Sequence, residues 1–253
     1  FNVALTATNA SGTGSASTLV VDVAKGAAAV TLGSLAATYD GTPKNATATT
    51  TPTGLTVDIA YDGGSAVPTS AGSYAVVGTV DDADYTGSAN GTLVIAKADQ
   101  TVTFPSAGDG IRVTGIVGAV VIGTPVALGA TASSGLPITY AVVSGAGSIS
   151  GGSFTATDTG PVTLRATQAG NGDYNAAFEE QSFTPGKIQA TVTLGNLAAI
   201  YDGTPKSATA TTTPSGLTVN VTYDGSATAP TSAGSYAVIA TVNDATHAGS
   251  ASG

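Results

Sequence analysis

Val57-Asp58-Ile59-Ala60-Tyr61, followed at once by Asp62-Gly63, decides the class of fold. Val57, Ile59 and Tyr61 alternate with Asp58 and Ala60, so an extended backbone puts three apolar side chains on one face. The Asp-Gly pair then supplies a turn that tolerates positive φ. The stretch reads as a strand running into a hairpin. It returns as Val219-Asn220-Val221-Thr222-Tyr223, where the apolar face keeps its character while Asp58 and Ala60 become Asn220 and Thr222. The face that drifts is the one expected to meet solvent.

Outward from this strand the copy widens. Tyr39-Asp40-Gly41-Thr42-Pro43-Lys44 recurs 162 positions on as Tyr201-Asp202-Gly203-Thr204-Pro205-Lys206, and Thr69-Ser70-Ala71-Gly72-Ser73-Tyr74 as Thr231-Ser232-Ala233-Gly234-Ser235-Tyr236. Such self-similarity is the mark of an array. A catalytic domain rarely needs a near-copy of itself, whereas a spacer gains length and a multivalent surface gains avidity from each added unit. Further strands are expected at 28–32, 35–39, 46–50, 74–80 and 92–96, separated by Gly, Pro, Asp and Ser clusters. No segment carries a helical period. The reading is an all-β chain of tandem Ig-like antiparallel β-sandwich modules in an elongated array.

A chain of 253 residues with a repeat of this size divides into modules of roughly 70 to 90 residues. The expected boundaries are 1–26, the last strands of a module whose front is missing; 27–97, a complete repeat; 98–187, a different unit opening Gln100-Thr101-Val102-Thr103-Phe104; and 188–253, a second repeat lacking its last strand. Three of the five lysines, Lys25, Lys97 and Lys187, sit at these handovers. Handovers so short cannot flex as Gly/Ser tethers do, which predicts a semi-rigid rod.

Composition removes several function classes. Cysteine is absent, so the chain offers no disulfide framework, thiolate nucleophile or Cys-ligated zinc site. Methionine is absent too, and Phe1 opens directly into a strand-like pattern, which predicts an interior or processed piece of a longer polypeptide. Only 9% of residues are charged, with sixteen acids against seven bases, a poor surface for nucleic acid. The most apolar stretch, 116–121, is short and broken by Gly118, so no membrane-spanning segment is expected. Richness in Gly, Ser and Thr is shared with disordered chains, but regular alternation argues for thin sheets with uncharged polar faces.

Gly72-Ser73-Tyr74-Ala75-Val76 and Gly234-Ser235-Tyr236-Ala237-Val238 resemble the tyrosine corner of immunoglobulin-like domains, with valine where antibody domains carry cysteine. A plain core aromatic is the other reading, and both give Tyr74 and Tyr236 a structural part. The segments Tyr-Asp-Gly-Thr-Pro-Lys, Gly-Leu-Thr-Val, Tyr-Asp-Gly and Ser-Ala-Gly-Ser-Tyr-Ala-Val resemble the MBG or YDG-type modules found in tandem in large bacterial surface and secreted proteins. Residues 98–187, with Ser-Ser-Gly-Leu-Pro-Ile and Gln-Ala-Gly-Asn-Gly-Asp-Tyr-Asn-Ala-Ala, are similar to bacterial immunoglobulin-like repeats, and residues 1–24 resemble the end of another such domain. The resemblance implies a scaffold without an agreed active site to transfer.

The chemistry-bearing residues are few. His247 is the only histidine and stands where the other copy has Tyr85, so no Ser-His-Asp arrangement is shared and a turn residue is expected. Glu179 and Glu180, the only glutamates, are adjacent and on a strand would face opposite ways, which is wrong for a glycosidase pair. Asp81, Asp82 and Asp84 could offer oxygen to calcium, and so could Asn171, Asp173 and Asn175. The first cluster becomes Asn243, Asp244 and Thr246 in the second copy and neither has the glycine and distal glutamate of an EF-hand loop, so turn chemistry is preferred. Lys44 and Lys206 could form an intramolecular amide, but beside Gly41 and Pro43 each reads as a snorkelling surface lysine. Asn-x-Ser/Thr matches at Asn9, Asn45, Asn90 and Asn220 matter only in a eukaryotic secretory route.

No catalytic, cofactor-binding or metal residue is therefore assigned. The expected function is a non-enzymatic stalk or fibre segment of a bacterial extracellular or cell-surface protein of adhesin type. The alternative is a module whose exposed loops bind carbohydrate or a surface partner. Expected partners are neighbouring modules of the same longer chain, with self-association into fibres as a further route. The open edge of the last module is expected to be completed by the chain's own continuation, with strand addition by 18–21 of a neighbour as the alternative.

Overall fold

The structure is a computed structural model describing residues 22–104 and 120–253 in full and, within residues 1–21, the backbone of the strands Asn2–Leu5, Thr8–Asn9, Gly12–Thr13 and Ser17–Val20. Most of the apolar stretch 116–121, Phe1 and the side chain of Asn9 lie outside the described residues. Among the described residues every regular element is a strand, and the chain is all-β. Its contacts gather into two units: Phe1–Ala98 with Asn171–Asn175, and Asp99–Gly170 with Ala176–Gly253.

In the first unit the alternating stretch is the strand Val57–Tyr61, and Asp62 (φ 49) and Gly63 (φ 83) form the left-handed turn expected of Asp-Gly. Val57–Tyr61 pairs antiparallel with Gly72–Val80, which pairs antiparallel with Ser88–Ala96. The antiparallel pair of Ala29–Gly33 and Thr47–Thr51 covers this sheet, and Leu32 approaches it over Gly78 and Gly91, where an added Cβ would come within 3.0 and 3.2 Å of the leucine methyls. Two layers thus close on Val76, Leu93 and Ile95, with Tyr61, Leu35 and Ile59 around them. Not every pair is antiparallel. Ser34 (φ 54) turns the chain out of this pair, and Ala36–Thr38 joins the other sheet parallel to residues 94–96. Gly26–Ala27 likewise runs parallel to Tyr85–Thr86. A strand that changes sheets arrives beside a strand running its own way, which a reading of local alternation does not capture.

The second unit holds two cores. In the intervening stretch, Thr139–Ser144, Val162–Gln168 and Ala177–Phe183 form one sheet, and Val126–Ala127, Ser153–Ala156 and Gly147–Ser150 another. Fully buried Phe154, Ala156, Val162, Leu164 and Ala166 fill the space between, and Phe183 meets Phe154 edge-on at 5.7 Å. Gln100 and Gln168 are buried with them, their amides bonded to each other and Ser134 Oγ donating to Gln100 Oε1 at 2.5 Å.

The second repeat follows the first strand by strand, each 162 positions on: Ile188–Gln189, Thr191–Gly195, Thr209–Thr213, Val219–Tyr223, Val238–Val242, His247–Ala248 and Ser250–Ser252. Asp224 (φ 44) and Gly225 (φ 84) repeat the turn. The copies differ at one edge. The first repeat's sheet has four strands and the second's has three, Val219–Tyr223, Val238–Val242 and Ser250–Ser252. Residues 198–200, the counterpart of Ala36–Thr38, are not in a ladder.

Candidate functional site

The acidic clusters resolve into one turn built three times. Asp82 Oδ1 accepts the N–H groups of Asp84 (2.8 Å) and Tyr85 (3.0 Å); Asn171 Oδ1 accepts those of Asp173 and Tyr174 (both 2.8 Å); Asp244 Oδ1 accepts those of Thr246 (2.8 Å) and His247 (2.9 Å). In each, a handover lysine donates to the carbonyl of the turn's first residue: Lys25 to Asp82, Lys97 to Asn171 and Lys187 to Asp244, all at 2.6 Å. The segment after the lysine then runs beside the turn, through Gly26 N to Asp84 O, Ala98 N to Asp173 O and Ile188 N to Thr246 O. Asp82 Oδ1, Asn171 Oδ1 and Asp244 Oδ1 are thus each engaged by two backbone donors. Among the described residues no three His, Cys, Asp or Glu side chains converge on one point. The clamping lysines escaped the sequence reading, although their shared place at the handovers was the signal.

One of these turns also reaches across the first unit. Asp173 Oδ1 accepts Ala71 N–H at 2.8 Å, and the Tyr174 ring meets Tyr39 edge-on at 5.3 Å. The Tyr39 hydroxyl is pushed above its usual range, first by lost solvation and then by the charges of Asp173, Tyr174 and Asp40.

The remaining candidates fall apart as sites. His247 Nδ1 lies 3.2 Å from Asp244 Oδ1 and 2.9 Å from Thr246 Oγ1, inside the turn. The Thr246 N–H, followed by the Thr246 hydroxyl and the N–H and ring of His247, holds the Asp244 carboxyl well below the usual carboxylate range. Glu179 and Glu180 are exposed on Ala177–Phe183; Glu180 pairs with Arg165 at 2.6 Å, and the Arg165 guanidinium lies 4.6 Å from the centre of the exposed Phe178 ring. Lys44 and Lys206 bond the carboxylates of Asp40 and Asp202, the latter at 2.5 Å. Those lysines, then the Thr42 and Thr204 hydroxyls and N–H groups, hold both carboxyls well below their usual range.

Tyrosine hydroxyls tie the sandwiches. Tyr74 donates to Ser70 O at 2.8 Å and Tyr236 to Ser232 O at 3.1 Å, the bond to a carbonyl just upstream that a tyrosine corner makes. A second tie was not foreseen: the hydroxyls of Tyr61 and Tyr223 accept Ala46 N–H and Ala208 N–H, each at 2.8 Å. In the intervening stretch Tyr140 accepts Ala130 N–H at 2.9 Å and donates to Leu128 O at 3.0 Å. Period two put Tyr61 on the inward face, but its partner Ala46 lies 15 residues away, just before Thr47–Thr51.

The second repeat also holds a groove of about 320 Å³, lined by Leu197, Ala199, Tyr201, Ala208, Tyr236 and Val238 among others. Polar residues share its lining with the apolar ones: Asn196, Lys206, Thr231, Ser232 and Ser235.

Repeated sandwiches, held by the same tyrosine and lysine ties while their outer faces change, define a class of tandem scaffold modules. The family model of the MBG domain matches residues 28–99 and 190–253, more than half of the chain, and the chain belongs to that family. MBG domains are a structural repeat kind found in surface or secreted bacterial proteins. No curated protein and no solved structure matches the chain. Among the described residues no helix is long and apolar enough to cross a membrane.

Proposed function

We propose that this chain is a non-catalytic structural segment, a run of modules at 1–26, 27–97, 98–187 and 188–253 in the stalk or fibre of a bacterial extracellular or cell-surface protein of adhesin type. One observation carries this reading. Between the two repeats the tyrosine ties and the lysine clamp stay in place, while Asp58 becomes Asn220, Ala60 becomes Thr222 and Tyr85 becomes His247. What the copies share includes the bonds that hold the sandwich, which is what a scaffold repeat requires. Small-angle scattering tests the proposal. A rod of modules has a radius of gyration well above the roughly 18 Å of a compact globule of this length. A value at the compact figure overturns it.

A further inference from the structure

The dipeptide Asn-Gly occurs twice in the chain, at Asn90-Gly91 and Asn171-Gly172, and the structure puts the two in opposite settings. Asn90 and Gly91 lie in the ladder of Ser88–Ala96, opposite Val77 and Val76. Leu35 and Leu32 close over Gly91, where an added Cβ would lie 3.0 and 3.2 Å from their methyls. Asn171 and Gly172 are exposed in a turn, and a Cβ added to Gly172 would meet nothing within 4 Å.

An asparagine followed by glycine is open to attack by its own backbone. The glycine nitrogen must lose its proton, reach the side-chain carbonyl carbon, and leave negative charge on the carbonyl oxygen as it adds. The turn at Asn171 favours each step. Lys97 Nζ donates to Asn171 O at 2.6 Å, and that carbonyl belongs to the same peptide group as the Gly172 nitrogen, so the ammonium makes the N–H more acidic. Asn171 Oδ1 accepts the N–H groups of Asp173 and Tyr174, both at 2.8 Å, and these two donors stand ready for the charge that develops on Oδ1. The ring closed by the first of these bonds contains both Asn171 Cγ and Gly172 N and folds one back toward the other.

We infer that Asn171 is a site of spontaneous covalent modification whose isoaspartate product releases the turn from the first repeat. Gly172 N forms a bond to Asn171 Cγ and gives up its proton, the bond from Cγ to Nδ2 breaks, and Nδ2 leaves as ammonia with that proton. Water then opens the cyclic imide. Cleavage between Cγ and the nitrogen gives aspartate; cleavage between the backbone carbonyl carbon and the nitrogen gives isoaspartate. Aspartate is what the two matching turns carry at Asp82 and Asp244, where Oδ1 accepts the same pair of N–H groups and a lysine holds the same carbonyl, so that product keeps the turn. Isoaspartate routes the main chain through the side-chain carbons and displaces both the carbonyl that Lys97 holds and the acceptor of the two N–H groups. With them go the bond from Ala71 N–H to Asp173 Oδ1 and the seat of the Tyr174 ring against Tyr39.

The full chain, aged at mildly alkaline pH and mapped by peptide mass spectrometry, should convert Asn171 to aspartate and isoaspartate about tenfold or more faster than it converts Asn90, whose ladder must first open. Gly172→Ala, for which the turn has room, should slow conversion at 171 by about tenfold or more, because the methyl group obstructs the attacking nitrogen. Equal rates at the two asparagines, or a Gly172→Ala chain that converts as fast as the parent, would overturn the site. Hydrogen exchange at the Ala71 amide reads the consequence. It should accelerate in aged chain in proportion to the isoaspartate content and stay unchanged in Asn171→Asp. An unaltered Ala71 rate in isoaspartate-rich chain, or an equal acceleration in Asn171→Asp, would overturn the release of the turn.

Discussion

Tyr61 and Tyr74 look alike in sequence and act differently. The Tyr61 ring is 6% exposed and its hydroxyl is the acceptor for the N–H of Ala46, itself 6% exposed. Tyr61→Phe keeps the ring and strands that buried donor, at about 1 to 3 kcal/mol. Exchange of the Ala46 amide should then accelerate by about tenfold or more, and an unchanged rate would show that the hydroxyl is dispensable. Tyr74 is half-buried against the core, so Tyr74→Ala should cost about 2 to 4 kcal/mol, near the lower part of the range for removing a large core side chain. The carboxyls set a pH limit. Asp40, Asp202 and Asp244 ionise more readily in the folded chain than in the unfolded one, so the stability they lend is complete above the ordinary carboxylate range. It is lost as pH falls below about 4, when the folded carboxyls must take up protons. Thermal midpoints followed by circular dichroism should fall along that acid limb and fall less in a chain carrying Asp40→Asn, Asp202→Asn and Asp244→Asn together; identical acid limbs would remove these residues from the account.

At the scale of the element, the first strand of each repeat passes its neighbour so closely that only glycine fits. A Cβ on Gly87 would lie 2.1 Å from Ala28 O, and one on Gly249 2.2 Å from Ala190 O. Gly87→Ala must therefore push the clamped segment at Gly26–Ala27 away from Tyr85–Thr86, at about 1 to 3 kcal/mol. Limited proteolysis should cut near Lys25 in this variant before it cuts elsewhere, and an unaltered cleavage pattern would count against the close approach. Strand positions were legible where alternation was strong: 57–61 coincides with its strand, and 28–32, 46–50, 74–80 and 92–96 fall within a residue or a few of theirs. The short pieces Gly26–Ala27 and Tyr85–Thr86 were not, because two residues carry no period and gain their ladder only from each other.

For the whole molecule, the ties predict independence from metal. The turns at Asp82, Asn171 and Asp244 are closed by backbone donors and lysines. EDTA should leave the melting temperature unchanged within error, whereas a drop that calcium restores would return Asp81, Asp84 and Asp173 to the list of ligands. The sequence by itself determined the all-β class, the 162-residue repeat, the Asp-Gly turns and the inward faces of the main strands, since each depends on residues within one strand or on comparison of two copies. Only the tertiary structure decided which groups those strands bring together. The bond from Lys25 to Asp82 spans 57 residues and that from Lys97 to Asn171 spans 74. Period and propensity act over a few residues, whereas these partners meet because two sheets close on one core.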